Sequence, residues 1–478
     1  MQRREFILAT AALLAAGCVP PPVPLPSEAP PLALPPMPAN GMRLVDEIER
    51  RAFEFFRDTT NPRNGLAPDR WPTPSFCSIA AVGFALSAWP IAVERGWMTR
   101  EEARGRVLTT LRFLYESPQG PERSGNIGYK GFFYHFIDME TGARFKRVEL
   151  STIDTALLMC GVLHCGAWFD QAHAEETLIR TLAEELYARV DWRWAQPRLP
   201  AIGHGWSPEE GHLKHDYIGY NEALLLYLLA LGSPTHPVDA SAWNAWTQKY
   251  DRGWSKAYGY EYLRYPVLFV HQFPQCWFDL RGVSDAFMRA RGIDYFENTR
   301  RATYAQRAYA ADNPEGWAGY GPDTWGVTAC DGPAKVRRHY GDRMRRFQGY
   351  SGRGIGRNDD GTIAPYAAAC SMPHAPEIVI PALDAMRERY GEYIWGKYGF
   401  YAFNRSFDFP GVKLHFGRLA PGFGWVDIDY LGIEVGPTLM MIDNYRTGGV
   451  WKAMQRSPHL ARGMRRAGFT GGWLDQVS

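Results

Sequence analysis

The chain carries almost no net charge, few cysteines and none of the signatures of several large functional classes. Its 53 basic residues stand against 51 acidic ones over 478 positions, a formal charge of +2. No long basic run occurs, so there is no electrostatic footprint for nucleic acid. None of the seven cysteines forms a Cys-x-x-Cys pair. There is no HExxH zinc motif and no GxSxG nucleophile elbow, which argues against a zinc protease and a serine hydrolase. Strand-type alternation is sparse, with short strands expected only in loops such as 127–137 and 412–418. No fixed-period repeat is visible, which disfavours an open solenoid.

Aromatic residues are abundant: 14% of the chain, with 17 Trp. Many fill core, yet they also recur in loops beside Gly, Asp and His, as in "HGWSPEEGH", "GYGPDTWGVTACDGP" and "PGFGWVDIDYLG". Flat apolar rings beside polar side chains suit a ligand with apolar faces and hydroxyl edges, which is a sugar.

The first residues, "MQRREFILATAALLAAGCVPPP", carry the twin arginines Arg3 and Arg4, a modest apolar stretch and Gly17-Cys18. That pattern reads as a twin-arginine export signal over 1–18 ending at a lipoprotein cleavage site, with Cys18 lipidated. The apolar stretch is too short for a permanent membrane span. Residues 19–40 are proline-rich and read as a stiff spacer. Residues 41–478 then form the working domain, outside the cytoplasm and tethered only by its N-terminal lipid. The remaining cysteines read as buried small hydrophobes, with a bridge or two permitted after export.

From residue 41 onward helical periodicity dominates, and nearly all-apolar helices alternate with amphipathic ones, as in "STIDTALLMCGVLHCGAWF" followed by "DQAHAEETLIRTLAEELYARV". Thr99 and Glu102 make a capping box at one start. The alternation is what two concentric helical layers require. About ten to twelve helices are expected, which suits an all-α (α/α)6 barrel, a toroid of six hairpins with minor loop strands.

Several segments together resemble the bacterial glucoamylase-like family: "GYKGFFYHF", "STIDTALL", "GWSPEEG…YNEA", "WGVTACDGP", "GTIAPYAAACSMPHAPEIVIPAL" and "LGIEVGPTLMMIDNYRTGGVW". That family is related to endo-β-1,2-glucanases and to the processing domain of cyclic β-1,2-glucan synthases. The resemblance spans roughly residues 43 to 470 and implies an (α/α)6 barrel that hydrolyses a glucan, with inversion the implied outcome. Glu434 stands where the family has an Asp.

Cleaving a glycosidic bond takes a proton donor and a base or nucleophile, usually two carboxyl groups. Carboxylates just before very apolar helices are the ones to examine: Glu149 and Asp154 in "ELSTIDTALLMCGV", and Glu222 in "YNEALLLYLLAL". Glu222 lies between apolar wall and aromatic rings, where a raised pKa suits a general acid. It reads equally as an offset to the helix dipole, and the family resemblance favours catalysis. Asp154 is the leading base, or a helix-start carboxylate. Glu149 is a sugar ligand or alternate base, or a surface partner for Lys146 or Arg147. Asp331, Asp429 and Glu434 are reserve candidates for the base and for sugar binding. Trp206, Tyr220, Trp325 and Trp425 are stacking platforms or core, and Asp323 and Asp331 bracket Trp325 in a loop suited to grip hydroxyls.

No cofactor is expected. His212 and His215 lack a third metal ligand, and "GRGIGRNDDG" reads as a mobile surface loop. The partner is a glucan, with no nucleic acid, and the protein is taken as a monomer. The alternatives are a glycan-binding lipoprotein without activity and a polysaccharide lyase.

Overall fold

The computed structural model describes residue 32 and residues 34–477. The proposed signal over 1–18, Cys18 and the greater part of the spacer lie outside the described residues. The fold is predominantly helical with several small antiparallel sheets. Strands extend well beyond the two loops expected from the sequence, with hairpins at Trp254–Leu263 and Val336–Phe347. Each has a tight turn holding glycine at positive φ, Gly259 at 83° and Gly341 at 61°, a local signal that a search for helical periodicity passes over.

The chain divides into two compact units. One comprises residues 53–251, 273–296 and 431–478; the other comprises residues up to 52, 252–272 and 297–430. In the first unit, helices α1 (Ile79–Glu94), α2 (Thr152–Trp168), α3 (Leu224–Gly232) and α4 (Gly432–Arg446) are buried along nearly their whole length. Between them in sequence lie Arg100–Glu116 and Ala174–Ala188, each with one buried stripe. Thr99 and Glu102 close the expected capping box on the first of these. Helices buried all round must approach backbone to backbone. A Cβ on Gly83 would lie 2.4 Å from Leu157 O, and one on Gly161 would lie 2.1 Å from Gly83 O. Glycine at both positions lets α1 and α2 pack without side chains between them.

The six described cysteines are all free thiols and all buried. They are the small hydrophobes expected, and among the described residues no bridge forms. In the second unit, Trp317, Cys330, Ala334, Phe347, Phe407 and Trp425 belong to a separate apolar core.

Candidate active site

In the first unit, five short strands pair in the order Gly128–Tyr129, Phe132–Tyr134, Leu150–Ser151, Gly205–Ser207, Gly211–His212. This sheet presents the start of α2 beside the loop that precedes α3. Leu150 faces Trp206, and Ser151 faces Gly205. Thr152 donates its hydroxyl to Gly203 O at 2.7 Å. Tyr227, on α3, donates to Tyr217 O at 2.7 Å and accepts from Ile202 N at 3.0 Å. Both buried helices are therefore tied to the polar loop of residues 202–217.

Asp154 stands in the first turn of α2, with its N–H donating to the Ser151 hydroxyl at 3.2 Å. That hydroxyl in turn donates to Asp154 Oδ2. Asp154 is thus both a helix-start carboxylate and a member of a polar cluster. Glu149 does not pair with Lys146 or Arg147; its Oε1 lies 2.8 Å from His135 Nδ1. His135 Nε2 faces Asp154 Oδ2 at 3.5 Å. One imidazole therefore bridges the two carboxylates, and all three groups are largely buried, Glu149 with 14% of its side chain exposed. Sequence reasoning missed His135. The signal available was the sheet pairing itself, which sets "FFYHF" against "VELS".

Burial alone would drive the His135 imidazole towards neutrality, but Asp154 and Glu149 outweigh it and raise its pKa to about 9. Burial raises the Asp154 carboxyl, while His135 and the Ser151 hydroxyl pull it back. A histidine whose pKa is raised on folding adds stability that is complete below the unfolded value near 6.5. The contribution is lost as pH rises through about 9. The melting temperature of the parent should therefore fall across that interval, and that of His135→Gln should be flatter. Parallel slopes in a pH-dependent thermal melt would remove the imidazolium from this site.

Glu222 sits in the turn before α3, two residues ahead of its first helical residue rather than in its first turn, and is 6% exposed. The turn is fastened: Gly219 N donates to Trp246 O at 2.7 Å, and Asn221 Oδ1 accepts from Ala223 N at 2.9 Å and from Trp246 Nε1 at 3.3 Å. Tyr220 packs among Trp246, Tyr250 and Tyr295 and is core. Trp206 is half-buried beside Tyr129 and Trp194, with ring centroids at 5.2 and 5.8 Å. That trio, two members of which sequence reasoning does not single out, is a half-buried aromatic cluster of the kind that suits the flat face of a sugar. His204 stacks on Tyr217. His164 has no hydrogen-bond partner among the described residues, and burial pushes it down to about 3.

The second unit gathers other candidates. Carboxylate oxygens of Asp331, Asp427 and Asp429 lie within 4.8 Å of one another, and all three residues are buried. Three such groups have the donor set to hold a cation or to grip hydroxyls. Asp323 is not with them: it faces Arg389 at 3.5 Å. Trp325 and Trp425 are fully covered, so neither offers a ring face to a sugar. Trp425 instead donates its indole N–H to Phe416 O at 2.8 Å. Glu434 lies half-buried in the first turn of α4, in the first unit.

Residues 214–458 match the protein family described as "Putative glucoamylase". An exo β-1,2-glucooligosaccharide sophorohydrolase of Parabacteroides distasonis is 26% identical over 464 residues, 90% of this chain and 58% of that protein. The chain thus spans less than two thirds of that relative's length. A solved structure of a putative glucoamylase from Bacteroides uniformis superimposes with a TM-score of 0.78 at 29% identity, covering 92% of this chain and all of that one. An endo-β-1,2-glucanase from Chitinophaga pinensis, in complex with sophorotriose and glucose, gives 0.76 at 25% identity, with coverage of 91% and 99%.

Proposed function

Because the chain belongs to the family described as "Putative glucoamylase", we propose that it is a glycoside hydrolase cleaving β-1,2-linked glucan with paired carboxyl groups. The observation that carries this reading is the buried Glu149–His135–Asp154 cluster, set beside Trp206 at the head of a helix buried along nearly its whole length. Glu222 is the proton donor and Asp154 the base, with Glu149 binding sugar. His135, lying between Asp154 and Glu149, opposes the rise that burial imposes on the Asp154 carboxyl, which suits a base rather than an acid. Asp331, Asp429 and Glu434 bind hydroxyl groups. Residues 41–478 fold as one (α/α)6 barrel, the wholly buried helices forming the inner wall.

The chain is attacked within its length and with inversion. A second reading, release of disaccharide from the non-reducing end, is favoured by the name of the Parabacteroides distasonis relative. Sizing the products of linear β-1,2-glucan separates them: a ladder of oligosaccharides supports internal cleavage, and disaccharide alone supports the second. No product from any β-glucan would sink both. The protein is exported through its twin arginines and anchored by lipid on Cys18 as a monomer. Recovery of Cys18→Ala in the membrane fraction to the same extent as the parent would sink the anchor.

A further inference from the structure

The hairpin Val336–Phe347, "VRRHYGDRMRRF", is a two-stranded ribbon that pairs with no other strand among the described residues. Its register sets Val336 against Phe347, Arg337 against Arg346, Arg338 against Arg345, His339 against Met344 and Tyr340 against Arg343. Side chains alternate across a strand, so every second pair shares a face. The Val336, Tyr340 and Phe347 face packs on the apolar core with Trp317. Arg345 on that face is neutralised by Glu315 and lies over the Trp317 ring. The other face turns Arg337, His339, Met344 and Arg346 to solvent, and exposed Lys335 immediately precedes the strand.

Arg337 and Arg346 stand directly opposite each other, a placement that costs stability in a ribbon. Among the described residues neither they nor Lys335 has an acidic partner. A polyanionic ligand would relieve that repulsion. Arginine in particular supplies the planar fork that meets carboxylate or phosphate with two parallel hydrogen bonds.

We propose that the outer face of this ribbon is a binding site for anionic groups carried on a glycan chain, so that the preferred glucan is one decorated with carboxylate or phosphate esters. This rests on the glucan hydrolase reading. The ribbon is rooted beside the Asp331 loop of its own unit. It begins shortly after Asp331, and its base residue Gln348 donates its N–H to Asp360 Oδ2 at 2.8 Å. Gly332 leaves room for Arg353, whose Nη2 would lie 2.0 Å from a Cβ there, so one buried arginine sets both the Asp331 loop and the ribbon's root. A lipid surface is disfavoured, because Met344 is the sole large apolar side chain on the exposed face, and interfacial anchoring draws on several.

The test compares neutral linear β-1,2-glucan with the same glucan succinylated to a known degree, using the full chain and Arg337→Gln/Arg346→Gln. At about 50 mM salt the parent is expected to show a KM about tenfold lower for the succinylated glucan, an advantage that shrinks towards unity near about 0.5 M salt. In the double variant the ratio of the two KM values should collapse to about one at either salt. Equal KM values in the parent, or a ratio that survives the double substitution, overturn the proposal. Calorimetry with Glu222→Gln reads binding of the two glucans without turnover. Should the parent hydrolyse neither glucan while Glu222→Gln still prefers the succinylated one, the hydrolase reading fails and the ribbon stands. Tighter capture by vesicles of about 30 mol% phosphatidylglycerol than by the succinylated glucan, lost in the double variant, would assign the face to a membrane and overturn the glycan.

Discussion

Replacing Glu222 by Gln is expected to lower turnover of linear β-1,2-glucan by about a hundred- to ten-thousandfold, the usual contribution of a positioned general acid. The amide keeps the size of the carboxyl and its place in the turn fastened by Trp246, so binding and melting temperature should stay near those of the parent. A general acid is served by cover from water, and Glu222 is 6% exposed in the turn that leads into an all-apolar helix. The role is separable from that of Asp154. An aryl glycoside whose phenolate departs without a proton should recover much of the lost rate in Glu222→Gln. It should recover little in Asp154→Asn, where the attacking water has lost its base. Should Glu222→Gln turn over glucan within about threefold of the parent, the carboxyl is there for the helix dipole and the donor lies elsewhere.

Much of the helical framework is legible because burial leaves a strong trace in composition. A helix covered all round is apolar all round, so "ALLLYLLALG" and "STIDTALLMCGVL" announce themselves, and the capped start of the second follows from Ser151 at the right offset. Asp154 and Glu222 are legible for the same reason, as charges at the edges of apolar runs. What escapes is everything set by pairing distant segments. His135 becomes part of the site only because a strand ending at Tyr134 lies against Leu150. Trp325 and Trp425 resemble sugar platforms because polar loops surround them in sequence, yet loop residues that pack inward are as buried as any helix residue. Asp323 and Asp331 flank one tryptophan in the chain but answer to different partners, Arg389 for one and the Asp427 and Asp429 carboxylates for the other.

The segment "GRGIGRNDDG" reads as a mobile surface loop, and its tip at Gly356 is exposed, but it is anchored by buried residues on either side, which leads to the second large effect. Arg353 and Asp360 are both fully buried, and they meet through two bonds, Nε to Oδ1 at 2.7 Å and Nη2 to Oδ2 at 3.0 Å. The guanidinium also donates to Cys330 O at 2.7 Å and to Gly349 O at 2.9 Å. The neighbouring Asp359 accepts the hydroxyls of Tyr309 and Tyr320, each at 2.6 Å. Gly and Asp in that motif therefore mark a loop anchored on a buried ion pair. Arg353→Met fills similar volume but strands Asp360 and two carbonyls without their donor, and it is expected to cost about 3–5 kcal/mol. Replacing both partners, as Arg353→Met with Asp360→Leu, should cost less than the sum of the two single changes. The surviving charge is what makes each single variant poor. Urea denaturation of the four proteins, followed by tryptophan fluorescence, measures the cycle. Additive losses would mean that the two charges are solvated independently and that the loop owes its order to something other than this pair.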